Sequence, residues 1–310
     1  MVRPVPIPNT AVKRSIADGS GCIASARVGR RQIFPFKSRN INVSALFVAI
    51  LPGCGLFVET MRARPFICFI ILGFCLHLHA GVSTPESRAA EVYQAARALF
   101  QSQPTNAVAA WQLAAACFDE CEFSHDDAER ARFAQEGIRA AREAVVLNPV
   151  LAAAHYYLGM DLAQLARTKL LGALNLLDEV EKEWNRTAQL DENFDYAGAD
   201  RNLGMLYVEA PGWPLSMGST TNARQHLLRA VKLHPEYPEN HLNLIEAYLK
   251  WNNRAEGKLA AKEFAGLLPA ATKKFTGPAW ESYWVDWNKR WSNFQAKLSK
   301  WGGGVGVQDK

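Results

Sequence analysis

Residues 1–80 hold only two of the chain's 30 acidic residues, Asp18 and Glu59, beside ten of its 35 Lys and Arg. That shortage confines the basic balance, formally +5, to the first quarter, because residues 81–310 carry 25 cations against 28 anions. A positively charged body able to footprint on nucleic acid is thereby excluded. Cysteine is scarce beyond the same point: Cys117 and Cys121 are the last two of six, too few for a disulfide framework. No apolar run approaches the roughly 20 residues that cross a bilayer as a helix. Alternating β-branched residues are missing from Ser87 onward, which argues against strands. His-Glu-x-x-His, Gly-x-Ser-x-Gly and Gly-x-x-x-x-Gly-Lys-Ser/Thr are also missing, so no catalytic residue, cofactor or metal is assigned and the chain is not read as an enzyme.

The longest apolar stretch, Phe66 to Leu76, follows Met61, Arg62 and Arg64 and precedes Leu78-His79-Ala80. A charged start, an apolar centre too short to span and a small-residue site form a cleavable secretory signal over residues 61–80. Residues 1–60 then read as disordered or as upstream sequence attached by a wrong start codon. Two alternatives stay open: an Arg-rich, acid-poor organelle-targeting segment and an uncleaved anchor. The expected location is periplasmic or secreted, with a mature start near Gly81 and no stable membrane anchor after cleavage.

What is present is repetition. Leu147-Asn148-Pro149, Leu190-Asp191-Glu192, Leu233-His234-Pro235 and Leu267-Leu268-Pro269 each read as a hand-over between amphipathic helices, their third residues 43, 43 and 34 apart. The 3.6-residue apolar period places ten helices near 87–102, 106–122, 126–147, 151–167, 170–190, 196–209, 220–233, 238–251, 254–267 and 278–300. Ser124, before Asp127, and Ser219 read as N-caps. Residues 81–275 form the repeat domain, 276–301 a C-terminal capping helix and 302–310 a flexible tail.

Ala223, Leu227, Ala230 and Pro235, followed by Leu244 and Tyr248, resemble the tetratricopeptide repeat. Leu158-Gly159 with Leu162, Leu203-Gly204 with Tyr207, and Trp111, Leu113, Ala114 and Cys117 supply further first helices. The longer spacing, with Ala210 to Gly218 as a Pro/Gly-rich insertion, resembles a divergent branch: the T component of periplasmic TRAP transporters and the related regulators of microtubule dynamics. That resemblance implies an all-α solenoid of antiparallel helix pairs. It also implies a concave face lined by first-helix residues, here Trp111, Tyr156, Met160, Arg201, Met205, Leu242 and Glu246. Such a groove suits a protein partner, a peptide or an exported protein, in an adaptor or scaffold role. The alternative is an accessory protein of a transporter that takes a small apolar or carboxylate ligand. The same seven residues could instead be plain core.

Two further patterns have bland and sharp readings. Cys117, Cys121 and His125 fall at i, i+4 and i+8, but zinc favours shorter Cys loops and four ligands, so core thiols and an acidic turn explain them. Trp280, Trp284, Trp287, Trp291, Phe294, Leu298 and Trp301 make an aromatic stripe on one helix face, which fits a cap on the array or else a dimer or membrane-surface contact.

Overall fold

The computed structural model describes residues 84–169, 172–212 and 216–301. Among these the chain forms α1 (Pro85–Ser102), α2 (Ala107–Phe123), α3 (Asp127–Leu147), α4 (Ala152–Arg167), α5 (Ala173–Leu190), α6 (Gly198–Glu209), α7 (Thr220–Leu233), α8 (Pro238–Lys250), α9 (Arg254–Lys274) and α10 (Pro278–Lys300). No strand occurs among the described residues, only an isolated bridge between Gly212 and Gly218. The segments 1–60, 61–80 and 302–310 lie outside the described residues, as does the middle of the insertion, residues 213–215.

Helices pair in chain order, α2 with α3, α4 with α5, α6 with α7 and α8 with α9, and each pair packs on the next. The first helices also touch one another, α2 on α4 and α6 on α8, so they share one face. This is the all-α, solenoid-like stacking expected of the sequence, with α1 packed on α2 and α10 on α8 and α9.

The hand-overs have a common physical cause. Each second helix ends when its C-cap residue, Asn148, Asp191 or His234, donates its backbone N–H to Ala144, Thr187 or Ala230 at 2.9, 2.8 and 3.0 Å. Three residues on, Leu151, Phe194 and Tyr237 each donate back to that same C-cap carbonyl, closing one turn three times over. In the outer two, an imidazole of the next helix locks the turn: His155 Nε2 lies 3.0 Å from the Pro149 oxygen and His241 Nε2 lies 2.8 Å from that of Pro235. The middle hand-over has Glu192 and Gly198 at the matching positions and uses another device, three successive left-handed residues, Asp195, Tyr196 and Ala197.

The Leu-Gly pairs sit where second-helix side chains press on first-helix backbone. A Cβ on Gly159 would lie 2.5 Å from the Trp184 indole nitrogen, and one on Gly204 would lie 2.6 Å from Leu227 Cγ. Trp184 and Leu227 are both fully buried, and a side chain of that size contributes roughly 1.5–3 kcal/mol on leaving water.

Two expectations need correction. Leu267-Leu268-Pro269 is not a hand-over, because α9 runs through Pro269 to Lys274. The helix ends where Phe275 is drawn into the core, 1% exposed, with its N–H bonded to Ala271; that burial outweighs the backbone bond lost at proline. Nor is Ser124 the cap of α3: Asp126 accepts from Glu129 N at 2.7 Å, while Ser124 Oγ donates to Glu120 at the end of α2. Ser219 does cap α7, accepting from Asn222 N at 3.2 Å.

Candidate functional site

The middle hand-over sets up the most polar part of the interior. A left-handed φ is costly for residues with a Cβ, and here three in a row are held by what their side chains and carbonyls bind. The Asp195 carboxylate accepts from Tyr156 Oη at 2.7 Å and from Arg201 at 2.5 Å. Arg201 also donates to the Asp195 and Tyr196 carbonyls and to Asn240 Oδ1. Asn240 returns through its amide to the Tyr196 and Ala230 carbonyls. Tyr196 stacks on Tyr237 with ring centroids 4.3 Å apart. Asn202 bridges to α4, donating to Tyr156 Oη and Met160 Sδ.

Electrostatics follow from enclosure. Burial, and next to it the Asp195 charge, pushes the Tyr156 hydroxyl well above its usual range. Burial alone would lower the Arg201 guanidinium, but the Asp195 carboxylate beside it turns the net shift upward. Both groups therefore keep the protons that make the network.

The helix α10 lies over the same face. Its Trp287 is buried, and the indole N–H donates to Glu239 Oε2 at 2.6 Å. Arg290 binds the other oxygen of Glu239, Asn243 Oδ1 at 2.6 Å and Glu246 Oε2 at 3.0 Å. Burial works to raise the Glu239 carboxyl, but the Arg290 and Arg201 guanidiniums hold it below the usual carboxylate range. Trp280 reaches the rings of Tyr196, Tyr237 and Phe275, Trp291 meets Phe264, and the Trp301 ring closes on Gly257. At the other end, Glu281 pairs with Arg88 of α1 at 3.8 Å. The aromatic stripe thus faces the helix pairs, over α8 and α9.

The seven residues expected to line a groove are distributed unevenly. Tyr156, Met160 and Arg201 meet through Asn202 and Asp195. Glu246 lies at the Arg290 socket. Met205 and Leu242 are fully buried in the apolar core, and Trp111 stays half-buried, stacked 5.7 Å from Tyr157. Tyr156 and Met160 are enclosed as well, so most of the set is covered by its own neighbours. Sequence reading missed Asp195, Asn202, Glu239, Asn240, Asn243 and Arg290. The available signal was the pair of polar runs Asp200-Arg201-Asn202 and Glu239-Asn240-His241 in the opening turns of otherwise apolar helices.

A second buried group stands apart. Asp161 of α4 is fully enclosed and neither of its carboxyl oxygens has a hydrogen-bond partner. It faces Gly137, where a Cβ would lie 2.2 Å from Oδ2. Burial, and secondarily Asp119, raises its carboxyl well above the usual range. Cys117 and Cys121, both buried, are raised too, by burial first and then by Asp161. His125 is exposed, and no group of three metal-binding side chains occurs among the described residues. A carboxyl raised in the fold stabilises it below the unfolded value near 3.9, and that contribution is lost as pH rises toward the folded value. Asp161→Asn, which fits the same space, is therefore expected to gain about 1–3 kcal/mol at pH 7.5, shrinking toward zero near pH 4. Urea unfolding at both pH values checks this; an equal gain at both would show that ionisation is not the cause.

Comparison with known proteins bears on the first part of the chain. No curated protein matches it. A family model described as "Regulator of microtubule dynamics protein 1-3" matches residues 77–174, which takes in α1 to α4 together with Tyr156, Met160 and Asp161 but leaves out Asp195, Arg201 and all of α10. Over that roughly one-third of its length the chain is similar to the regulators of microtubule dynamics.

Proposed function

We propose that this protein is a helical-repeat adaptor, without chemistry of its own, that holds a helical segment of a protein partner on its first-helix face. The observation that carries the reading is that this face already receives a helix, α10, through an aromatic stripe and one largely enclosed arginine. Laying an amphipathic helix in a groove is a common mode of peptide recognition, read through side chains at helical spacing. The tetratricopeptide-like order of the helix pairs and the similarity of residues 77–174 to the regulators of microtubule dynamics support an interaction role. The small-ligand alternative has less support, since Tyr156, Met160, Met205 and Leu242 are each enclosed by the chain's own side chains. The exported location belongs to this proposal and rests on the pattern from Met61 to Ala80.

A photoreactive benzoyl-phenylalanine at position 111, whose native indole is partly exposed on the face, tests the idea against the same group at Val150, which is 64% exposed outside it. Irradiation in producing cells is expected to give a discrete protein adduct from position 111 and none from position 150. Absence of an adduct at 111, or equal adducts at both, would reject the adaptor reading.

A further inference from the structure

The way α10 is seated says what kind of helix the face accepts. Glu239, Asn243 and Glu246 stand at i, i+4 and i+7 on α8, one stripe of acceptors. Both carboxylate oxygens of Glu239 are read at once, one by the Trp287 indole N–H and one by the Arg290 guanidinium. Asn243 and Glu246 take two further bonds from Arg290, and Asp286 adds charge at 3.8 Å. A forked, planar guanidinium can meet three acceptors spread over two helical turns; a lysine ammonium is a point charge that cannot match the fork. Arginine three residues after a buried tryptophan is therefore a geometric requirement of this socket.

The remaining requirements are apolar. Tyr283, Trp287 and Phe294 are the buried side chains of α10, with Trp280, Trp284, Trp291 and Leu298 half-buried beside them. Aromatic residues at alternating three- and four-residue spacing thus supply the rest of the contact.

Yet α10 fits its seat imperfectly. The Nε of Arg290 is buried with no hydrogen-bond partner, a donor left unsatisfied away from water. Val285 on the same helix remains 71% exposed. The connection from α9 is short and turns at Gly277, whose φ of 89° gives an abrupt break between the helices. Beyond that connection α10 is held by the stripe, the socket, the Arg88–Glu281 pair and a bond from Lys258 Nζ to the Trp301 carbonyl.

We propose that α10 is a tethered occupant of a peptide groove, and that the partner helix is a cationic, tryptophan-rich amphipathic helix carrying arginine three residues after its central aromatic, which replaces α10 on the acidic Glu239/Asn243/Glu246 stripe. The inference rests on the adaptor reading and names the chemistry of its partner. A tethered helix competes at a high effective concentration, so free partner binds well only when α10 is loosened or when its own fit is better.

Exchange tests this directly. A protease site inserted between Thr276 and Gly277 is cut after the full chain has folded, and a fluorescein-labelled synthetic peptide of sequence 278–301 is added. The labelled peptide is expected to co-migrate with the cut chain in gel filtration while the original α10 fragment is released, as seen by mass spectrometry. The peptide with Arg290→Glu should compete about 100-fold less well, since truncating or reversing a buried paired charge has effects of that order; the Arg290→Lys peptide should be about 5- to 10-fold weaker. Retention of the original fragment through a day in excess peptide would overturn the proposal, as would equal competition by all three peptides. Should the inserted site prevent folding, the uncut chain with Arg290→Glu, whose own α10 is loosened, must take up the unmodified peptide; a folded variant that takes up none is equally fatal. Failure here with an adduct still formed at position 111 leaves the adaptor reading standing. Successful exchange without any adduct would remove the adaptor reading and leave the groove specificity intact.

Discussion

Arg201→Met is expected to lower the free energy of unfolding by about 3–5 kcal/mol, the usual cost of removing one partner from a buried ion pair. Methionine keeps most of the side-chain length, so the loss is electrostatic and not a cavity effect. The substitution strips a hydrogen bond from the Asp195 carboxylate and from the carbonyls of Asp195 and Tyr196 in the left-handed turn, and it frees Asn240 Oδ1. Tyr156 would be left as the one remaining donor among the bonds described to that carboxylate. Since Asp195 Oδ1 already lacks a partner, the turn has no reserve donor to call on. Adding Asp195→Asn removes the stranded charge and should recover about 1–2 kcal/mol, a coupling of the size found for residues in one network. Equilibrium urea unfolding, followed by tryptophan fluorescence, measures both variants. A single-variant loss below about 1 kcal/mol, typical of exposed pairs, would mean that the left-handed turn is held by its packing and not by Arg201.

The difference between what the sequence made legible and what it hid is one of range. The three true hand-overs could be read because their turn is closed by atoms within seven residues, from Ala144 to Leu151 and at the two equivalents 43 residues apart. The Leu-Gly pairs were legible for the same reason, a missing Cβ being a local property even though Trp184 and Leu227 fill the space from another helix. Pro269 misled because proline is a local stop signal, whereas α9 is terminated by the burial of Phe275 among Tyr237, Trp280 and Trp287. Ser124 and Asp126 are both good caps two residues apart, and backbone direction chose between them. Arg290 could not be placed at all from its neighbours: its acceptors lie 44 to 51 residues earlier in the chain. Met205 and Leu242 were assigned from position within the repeat, and that position does not say how closely the next helix will approach.

Trp287 joins these levels, since one side chain seats α10 on α8, completes the Arg290 socket and packs against the residue that ends α9. Its indole is 1% exposed and packs on Tyr237, Phe275, Trp280, Tyr283 and Trp284. Trp287→Ala is expected to cost about 3–5 kcal/mol, the range for deleting a large buried aromatic, with the melting transition of α10 separating from that of the repeats. Trp287→Phe keeps most of the volume and removes only the N–H bonded to Glu239, a hydrogen bond to a charged group worth about 1.5–3 kcal/mol. The two variants should also differ in acid. Glu239 is held below its unfolded value, so the stability it contributes is present above the unfolded value near 4.3 and is lost as pH falls through the lower, folded one. Removing the indole donor raises the folded value toward the unfolded one, so Trp287→Phe narrows that acid window and the deficit against the native chain should shrink below pH 4. Trp287→Ala carries an additional cavity cost that does not titrate, so its deficit should persist in acid. Thermal unfolding between pH 3 and pH 7 measures both. A deficit that stays unchanged from pH 3 to pH 7 in both variants would mean that Trp287 acts through bulk alone and that Glu239 is set by Arg290 and Arg201 without it.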